Sequence, residues 1–139
     1  MSPPHSLSGQ QITITVVISD GIGNSNYTFI LKVVNTAPTF SSALANKTMN
    51  AGEKLVYCMP TWVDTEGGTI TASGSGVTFG LFNGTCWVFE PVIGVDGGMY
   101  SCTVVLSDGY LSTTYNFKLT VNQPPKFTAA LIDQSVQVG

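Results

Sequence analysis

The side chains that carry most enzyme chemistry are scarce in this sequence. The only histidine is His5, near the start of the chain, which leaves neither a Ser-His-Asp relay nor a cluster of histidine metal ligands. Glu90 and Asp96 resemble the carboxylate pair of a glycosidase, but they flank a turn signal. The glycines of segment 74–76 fit neither a dinucleotide-binding fingerprint nor a P-loop. We therefore expect that this chain is not an enzyme.

Aromatic and asparagine side chains offer a second chemistry, which is contact with sugars. Trp62 and Trp87 could stack against sugar rings, although strand parity places them in or beside the core, where aromatic residues are common. Three Asn-x-Thr sequons lie next to turns or between strand halves, where we expect exposed side chains. In a eukaryotic source, we expect glycans at one or more of these sites. The sequon asparagines are Asn26, Asn46 and Asn83.

Charge is sparse for a globular protein. Charged residues make up 9% of the chain, against about 25% in typical domains, while 43% of the residues are hydrophobic. Five Lys or Arg residues face eight acids and form no basic stripe that could neutralise phosphates, so we expect no nucleic-acid partner. No apolar run reaches the roughly 18 residues that a membrane-spanning helix needs, and we expect no direct membrane contact in this segment.

Short segments of the chain alternate apolar and polar residues, as half-buried strands do. Segments 12–18 and 100–106 show this alternation most clearly. Turn signals separate the alternating segments, among them Asp-Gly at 20–21 and at 108–109 and Asn-Gly at 83–84. No long stretch has a helical period. The sequence therefore predicts an all-β sandwich.

The sequence also repeats itself. Segment 9–21 aligns without a gap on segment 97–109, and both end in Ser-Asp-Gly. Segment 35–52 aligns on segment 122–139, and both begin with Asn-x-x-Pro-x-Phe. The shift is 88 positions for the first pair and 87 for the second. Repetition at a fixed period is typical of arrays of one structural unit.

The repeat predicts where the structural units begin and end. We expect residues 1–34 to be the C-terminal strands of a preceding repeat and residues 35–122 to be a complete repeat. Residues 123–139 would be the first strand of a following repeat. The segment is thus expected to begin and end inside domains. Each junction is a short Asn-x-x-Pro linker, in which proline restricts the backbone.

Four motifs follow one another in the complete repeat. They are Asn-x-x-Pro-x-Phe at 35–40, Gly-x-x-Leu-x-Tyr-x-Met-Pro at 52–60, Asp-Thr-Glu-Gly-Gly at 64–68 and Val-Leu-Ser-Asp-Gly at 105–109. Their order resembles the dystroglycan-type cadherin-like domain and related immunoglobulin-like tandem repeats, over all of residues 35–122. The resemblance implies tandem Greek-key β-sandwiches of about seven strands per repeat, in an extracellular or cell-surface protein.

In such an oxidising setting, three cysteines leave one unpaired. Parity turns Cys58 and Cys86 outward, and the sandwich implied by the resemblance makes their strands neighbours. This favours a bridge between them, worth ~3 kcal/mol. Cys102 then acts as a small buried hydrophobic residue. Segment 96–102 also resembles an immunoglobulin F strand with its tyrosine corner, so a core bridge between Cys58 and Cys102 stays open as the alternative, although it is one residue out of register.

The implied sandwich also brings two turns and a linker to one pole. Asp64 and Glu66 lie on the first turn, Asp108 lies on the second, and Asn35 lies in the linker. Together their oxygens form a candidate site for Ca²⁺, which takes about six to eight oxygen ligands and which cadherins hold at the matching junction. Both linkers lack the acids of cadherin linkers, and Asp is an ordinary turn former, so a plain turn is the alternative. No other cofactor is expected.

The first functional hypothesis is a structural repeat of a long extracellular glycosylated fibre or cell-surface stalk. Its partners would be neighbouring repeats joined end to end, as a homopolymer or filament, together with the attached glycans. One alternative is a spacer or adhesion domain of a cadherin-like cell-surface receptor. Another is a carbohydrate-binding accessory module of a secreted enzyme. A membrane anchor elsewhere in the full-length protein would favour the receptor, and a catalytic domain would favour the accessory module.

Overall fold

A computed structural model describes residues 7–139, so His5 lies outside the described residues. Within this range the chain forms β-strands and no α-helix, and therefore no helix that could cross a membrane. The strands are β1 (Gln11–Ser19), β2 (Asn24–Lys32), β3 (Thr39–Phe40), β4 (Lys47–Asn50), β5 (Leu55–Cys58), β6 (Trp62–Val63), β7 (Thr71–Ser75), β8 (Gly80–Phe82), β9 (Cys86–Phe89), β10 (Gly98–Ser107) and β11 (Ser112–Asn122).

The strands from β3 to β11 form a sandwich. One sheet has the order β4-β11-β10-β7, and the other has the order β5-β9-β8. β4 runs parallel to β11, whereas the other neighbours within these sheets are antiparallel. β3 and β6 form a further short antiparallel ladder. The predicted all-β sandwich is confirmed.

The core follows from the alternation of side chains along the strands. In β10, Cys102, Val104 and Leu106 are fully buried, while the residues between them point to the other face. From the opposite sheet, Trp87 and Phe89 are buried and stack with nearly parallel rings whose centroids are 5.2 Å apart. Burying a side chain of this size stabilises the fold by about 1.5–3 kcal/mol, so this cluster holds the two sheets together.

Two glycines allow edge strands to approach these rings. A Cβ atom at Gly74 in β7 would lie 2.7 Å from Trp87 Cζ2, and one at Gly80 in β8 would lie 2.7 Å from Phe89 Cδ1. Both distances are well inside van der Waals contact. Any side chain at these two strand positions would therefore push against the aromatic core.

The hairpin of β1 and β2 repeats the register of β10 and β11. Every residue pair in the first hairpin becomes a pair in the second when both numbers are raised by 88; Ile14 opposite Phe29, for example, becomes Cys102 opposite Phe117. The two copies therefore agree in backbone pairing as well as in sequence.

The two hairpins differ in what covers them. Val16 and Phe29 are 45% and 55% exposed, whereas the matching Val104 and Phe117 are 0% and 2% exposed. In residues 7–139, β1 and β2 form a two-stranded sheet on their own. The pattern that makes a buried face in the complete sandwich therefore makes an open apolar face in the first hairpin.

Residues 123–139 form no strand. Phe127 is 76% exposed, whereas Phe40, at the matching position of the earlier copy, is 8% exposed. In the copy at 35–52, β3 pairs with β6, and β4 pairs with β11 of the same sandwich. The described residues contain no equivalent of β11 for the later copy, so the division of the chain into repeats stays a prediction.

Candidate functional site

The linker before the sandwich is tied to two turns by hydrogen bonds. Asn35 Nδ2 donates to Asp108 Oδ2 over 2.8 Å. Thr36 donates to Glu66 Oε2 from its backbone N at 3.2 Å and from its hydroxyl at 2.7 Å. We call the linker residues 35–38, together with the turns at 64–68 and 108–111, the N-terminal pole. The structure thus brings all four predicted calcium ligands to this pole.

The carboxylates of the N-terminal pole are largely engaged in closing their own turns. Asp64 Oδ1 accepts from the backbone N of Glu66 and of Gly68, each at 3.0 Å. Asp108 Oδ1 accepts from the backbone N of Tyr110 and of Leu111, each at 2.7 Å. Such bonds are the reason why aspartate is common in turns.

The earlier copy contains the same turn. Asp20 Oδ1 accepts from the backbone N of Ile22 at 2.9 Å and of Gly23 at 2.8 Å, which are the positions of Tyr110 and Leu111. The backbone hydrogen bonds from Gly23 and then Ile22 hold the pKa of Asp20 below its usual range. The Ser-Asp-Gly turn is therefore repeated in its bonds as well as in its sequence.

Most oxygens of the predicted calcium site are hydrogen-bonded within the chain. In residues 7–139, no group of three His, Cys, Asp or Glu side chains is placed to hold a metal ion. Local N–H donors and the linker satisfy most of the oxygens that the sequence offered as ligands. Asn35 Oδ1 and Asp64 Oδ2 are buried without a hydrogen-bond partner. Calcium binding at the N-terminal pole stays a prediction.

Cys58 and Cys86 form a disulfide and are opposite each other in the β5–β9 ladder. This is the bridge favoured by strand parity, and it leaves no partner for the alternative bridge to Cys102. Cys102 is a free thiol with no exposure, and burial raises its pKa to about 11. Two residues earlier, Tyr100 Oη donates to Gly97 O at 3.4 Å, as expected for the tyrosine corner.

The number of free thiols among the three cysteines can be measured with a thiol reagent. Without reductant, we expect no thiol to react with a thiol reagent in the native chain, because the thiolate is the reactive form and Cys102 is both buried and protonated. One thiol should react after unfolding in denaturant. A Cys102→Ala variant, as the control, should show none in either state. Rapid native reaction, or three thiols after unfolding, would contradict this assignment.

All three sequon asparagines are exposed. Asn26 lies in β2 opposite Val17, and Asn46 lies just before β4, where its Oδ1 accepts from the backbone N of Lys118 at 2.8 Å. Asn83 lies in the turn between β8 and β9, and its Oδ1 accepts from Thr85 and Cys86. None of the three positions belongs to the core, so a glycan at any of them would extend into solvent. Occupancy stays a prediction.

The two tryptophans do not form a shared platform for sugars. Trp87 is 1% exposed and lies within the core. Trp62 is half-buried and meets Phe40 edge to face with ring centroids 6.1 Å apart. Trp62 also lines an open groove of about 300 Å³, together with Met59, Pro60, Thr61 and Thr85. This groove could place the indole ring of Trp62 beside a ligand.

The two acids that resemble a glycosidase pair have structural partners. Glu90 forms an exposed ion pair with Lys54 at 2.9 Å. Asp96 Oδ2 accepts from the backbone N of Val92 at 2.7 Å and thereby closes the turn between β9 and β10. These contacts explain why acids stand at both positions.

Gln123 is a functional candidate that the sequence analysis missed. Its Oε1 accepts from the backbone N of Gly94 at 2.7 Å, and its Nε2 donates to Val92 O at 3.3 Å. A Cβ atom at Gly97 would clash with Gln123 Cγ, so this glycine makes room for the side chain. In the alignment of the two copies, Gln123 stands at the position of Thr36, which is the one signal that could have identified it.

Comparison with known proteins gives a fold but no family. The sequence matches no family model and no curated protein. Two structures of an endo-fucoidan hydrolase of glycoside hydrolase family 107, one of them a point variant, are similar to this chain. The variant has 25% identity over 88% of this chain with a TM-score of 0.52, and the other has 23% identity over 91% with a TM-score of 0.51.

The chain spans about a fifth of these hydrolases, 20% of one and 21% of the other. Immunoglobulin domains 1–5 of Sidekick-1 are also similar, with 19% identity over 81% of this chain, 25% of that chain and a TM-score of 0.45. The hydrolase similarity shows that this fold is shared with a segment of a larger protein.

Proposed function

We propose that this chain is a structural segment of a long extracellular glycosylated fibre or cell-surface stalk. In this proposal consecutive sandwiches are joined end to end by short linkers, and the chain itself carries out no reaction. The partners are further copies of the same unit, which form a homopolymer or filament.

The observation that carries the proposal is the agreement of the two copies in structure. The hairpins share one register along their whole shared length, and the Ser-Asp-Gly turns share the same backbone hydrogen bonds. A string of equivalent units needs such agreement, because each unit must present the same poles to its neighbours.

The surface and the disulfide support an extracellular location for the fibre. A disulfide persists in oxidising compartments, and Cys58–Cys86 joins opposite residues of β5 and β9. The chain has few charges to keep its surface hydrated. Glycans on the exposed Asn26, Asn46 and Asn83 would provide that hydration and would separate neighbouring strings.

The fibre proposal can be tested on native material by high-resolution electron microscopy. We expect the sandwich to recur end to end along one strand, with sugar density at Asn26, Asn46 and Asn83. Asn116 and Asn122 are exposed but lie outside sequons, so they should carry no sugar and serve as the internal control. Short isolated molecules with bare asparagines would contradict the fibre and leave the spacer of a cadherin-like receptor as the better proposal.

A second candidate function is that of an accessory module of a carbohydrate-active protein. The similarity to a segment of an endo-fucoidan hydrolase favours it, together with the groove beside Trp62. A fucan would then lie against the half-buried indole ring of Trp62, since stacking on the faces of aromatic rings is a common way to hold sugars.

Fucoidan binding by the chain, measured by calorimetry, tests this second candidate. We expect a Trp62→Ala variant to lose binding and a Val56→Ala variant to keep it, because Val56 is exposed on β5 away from the groove. Circular dichroism confirms that both variants are folded. If the unaltered chain does not bind, or if both variants bind equally well, the accessory-module function fails.

A further inference from the structure

The end of the sandwich opposite linker residues 35–38 carries an apolar groove. Its volume is about 310 Å³, and residues of the segments 93–97 and 123–126 line it. Ile93 and Val95 are 59% and 73% exposed, and Pro124 and Pro125 add further apolar surface. We call these two segments the C-terminal pole. Residues 123–126 line the groove and belong to the linker after the sandwich. The chain that follows this second linker therefore begins beside the groove.

The two copies of the repeat show what happens to this pole when a sandwich follows. Leu7 stands at the position of Val95 in the earlier copy, where the complete sandwich follows, and Leu7 is half-buried. Val95, where the described residues contain no following sandwich, is 73% exposed. This position is therefore less exposed in the copy that a sandwich follows.

The N-terminal pole shows the matching change. Ile22 occupies the tip of the Ser-Asp-Gly turn in the earlier copy and is 99% exposed. Tyr110 occupies the same position in the complete sandwich, where part of another unit precedes it, and is 53% exposed. At the junction that the structure contains, Leu7 and Tyr110 are thus less exposed than Val95 and Ile22, which stand at the poles without a neighbour.

The same linker position bonds to a different pole in each of the two linkers. Gln123 is bonded to Val92 and Gly94 of the sandwich before the linker. Thr36, at the same position of the other linker, is bonded to Glu66 of the sandwich after it. In a complete junction this linker position would lie between the two poles.

We propose that the C-terminal pole is a docking site for the N-terminal pole of the next copy of this repeat, with the tip of its Ser-Asp-Gly turn seated against Ile93 and Val95. The groove is largely apolar, and the two copies place the large side chains of Ile22 and Tyr110 at that tip. The contact fixes the angle between successive sandwiches. This proposal rests on the proposed end-to-end string and identifies the surface through which the string is held straight.

The repeat itself provides the chain for the test. Gly139 stands at the position of Gly52, so residues 1–139 followed by a second copy of residues 53–122 complete the next sandwich. Methyl NMR with a soluble paramagnetic probe then measures the accessibility of Ile93 and Val95. In the extended chain, we expect the probe to reduce the methyl signals of Val95 no more than it reduces those of Leu7. The methyl groups of Val56, which is 54% exposed on β5, should be unchanged as the control.

A Val95→Asp substitution in the extended chain should make Ile93 accessible again, whereas Val56→Asp should not. If the appended sandwich folds and Val95 stays as accessible as in residues 1–139, the docking site is wrong while the end-to-end string stands. If the appended residues do not fold, the repeat assignment fails, and the string and the docking site fail with it. The chemical-shift dispersion of the methyl signals from the appended residues shows whether they fold and so distinguishes these two results.

Discussion

The structure depends on covering the inner face of the β10–β11 hairpin. Cys102, Val104 and Phe117 on that face meet the stacked rings of Trp87 and Phe89 from the opposite sheet, and the burial of this surface holds the sandwich together. The hairpin of β1 and β2 has the same register without that cover. Register is therefore set locally by the Ser-Asp-Gly turn and its hydrogen bonds, whereas burial requires the other sheet.

The same turn links the core to the ends of the molecule. Asp108 closes the hairpin through Oδ1 and holds the linker through Oδ2, where Asn35 donates to it. At the opposite end, Gln123 attaches the outgoing linker to the turn between β9 and β10. Each sandwich therefore receives and releases the chain through defined polar contacts. In the proposed string, such contacts would set the direction of the next unit.

Sequence reasoning was most successful where one local rule decides the outcome. Alternation along the strands was enough to predict the sandwich and the burial of Trp87, and parity was enough to favour Cys58–Cys86. It did not predict the hydrogen bonds that depend on how several groups meet in space. The carboxylates of the N-terminal pole accept from backbone N–H groups of their own turns, which the sequence analysis did not foresee. The contacts of Gln123 depend on the position of a distant turn, which no local pattern contains.

Hydrogen exchange in the first hairpin tests the central claim that β1 and β2 are the last strands of an equivalent sandwich. Met1 stands at the position of Phe89, so placing residues 35–88 before Met1 completes that sandwich. In the extended chain, the amides of Val16 and Phe29 should become as protected as those of Val104 and Phe117, whereas in residues 1–139 they should exchange much faster. Equal protection of Val16 and Phe29 in both chains, or no gain on extension, would contradict the claim.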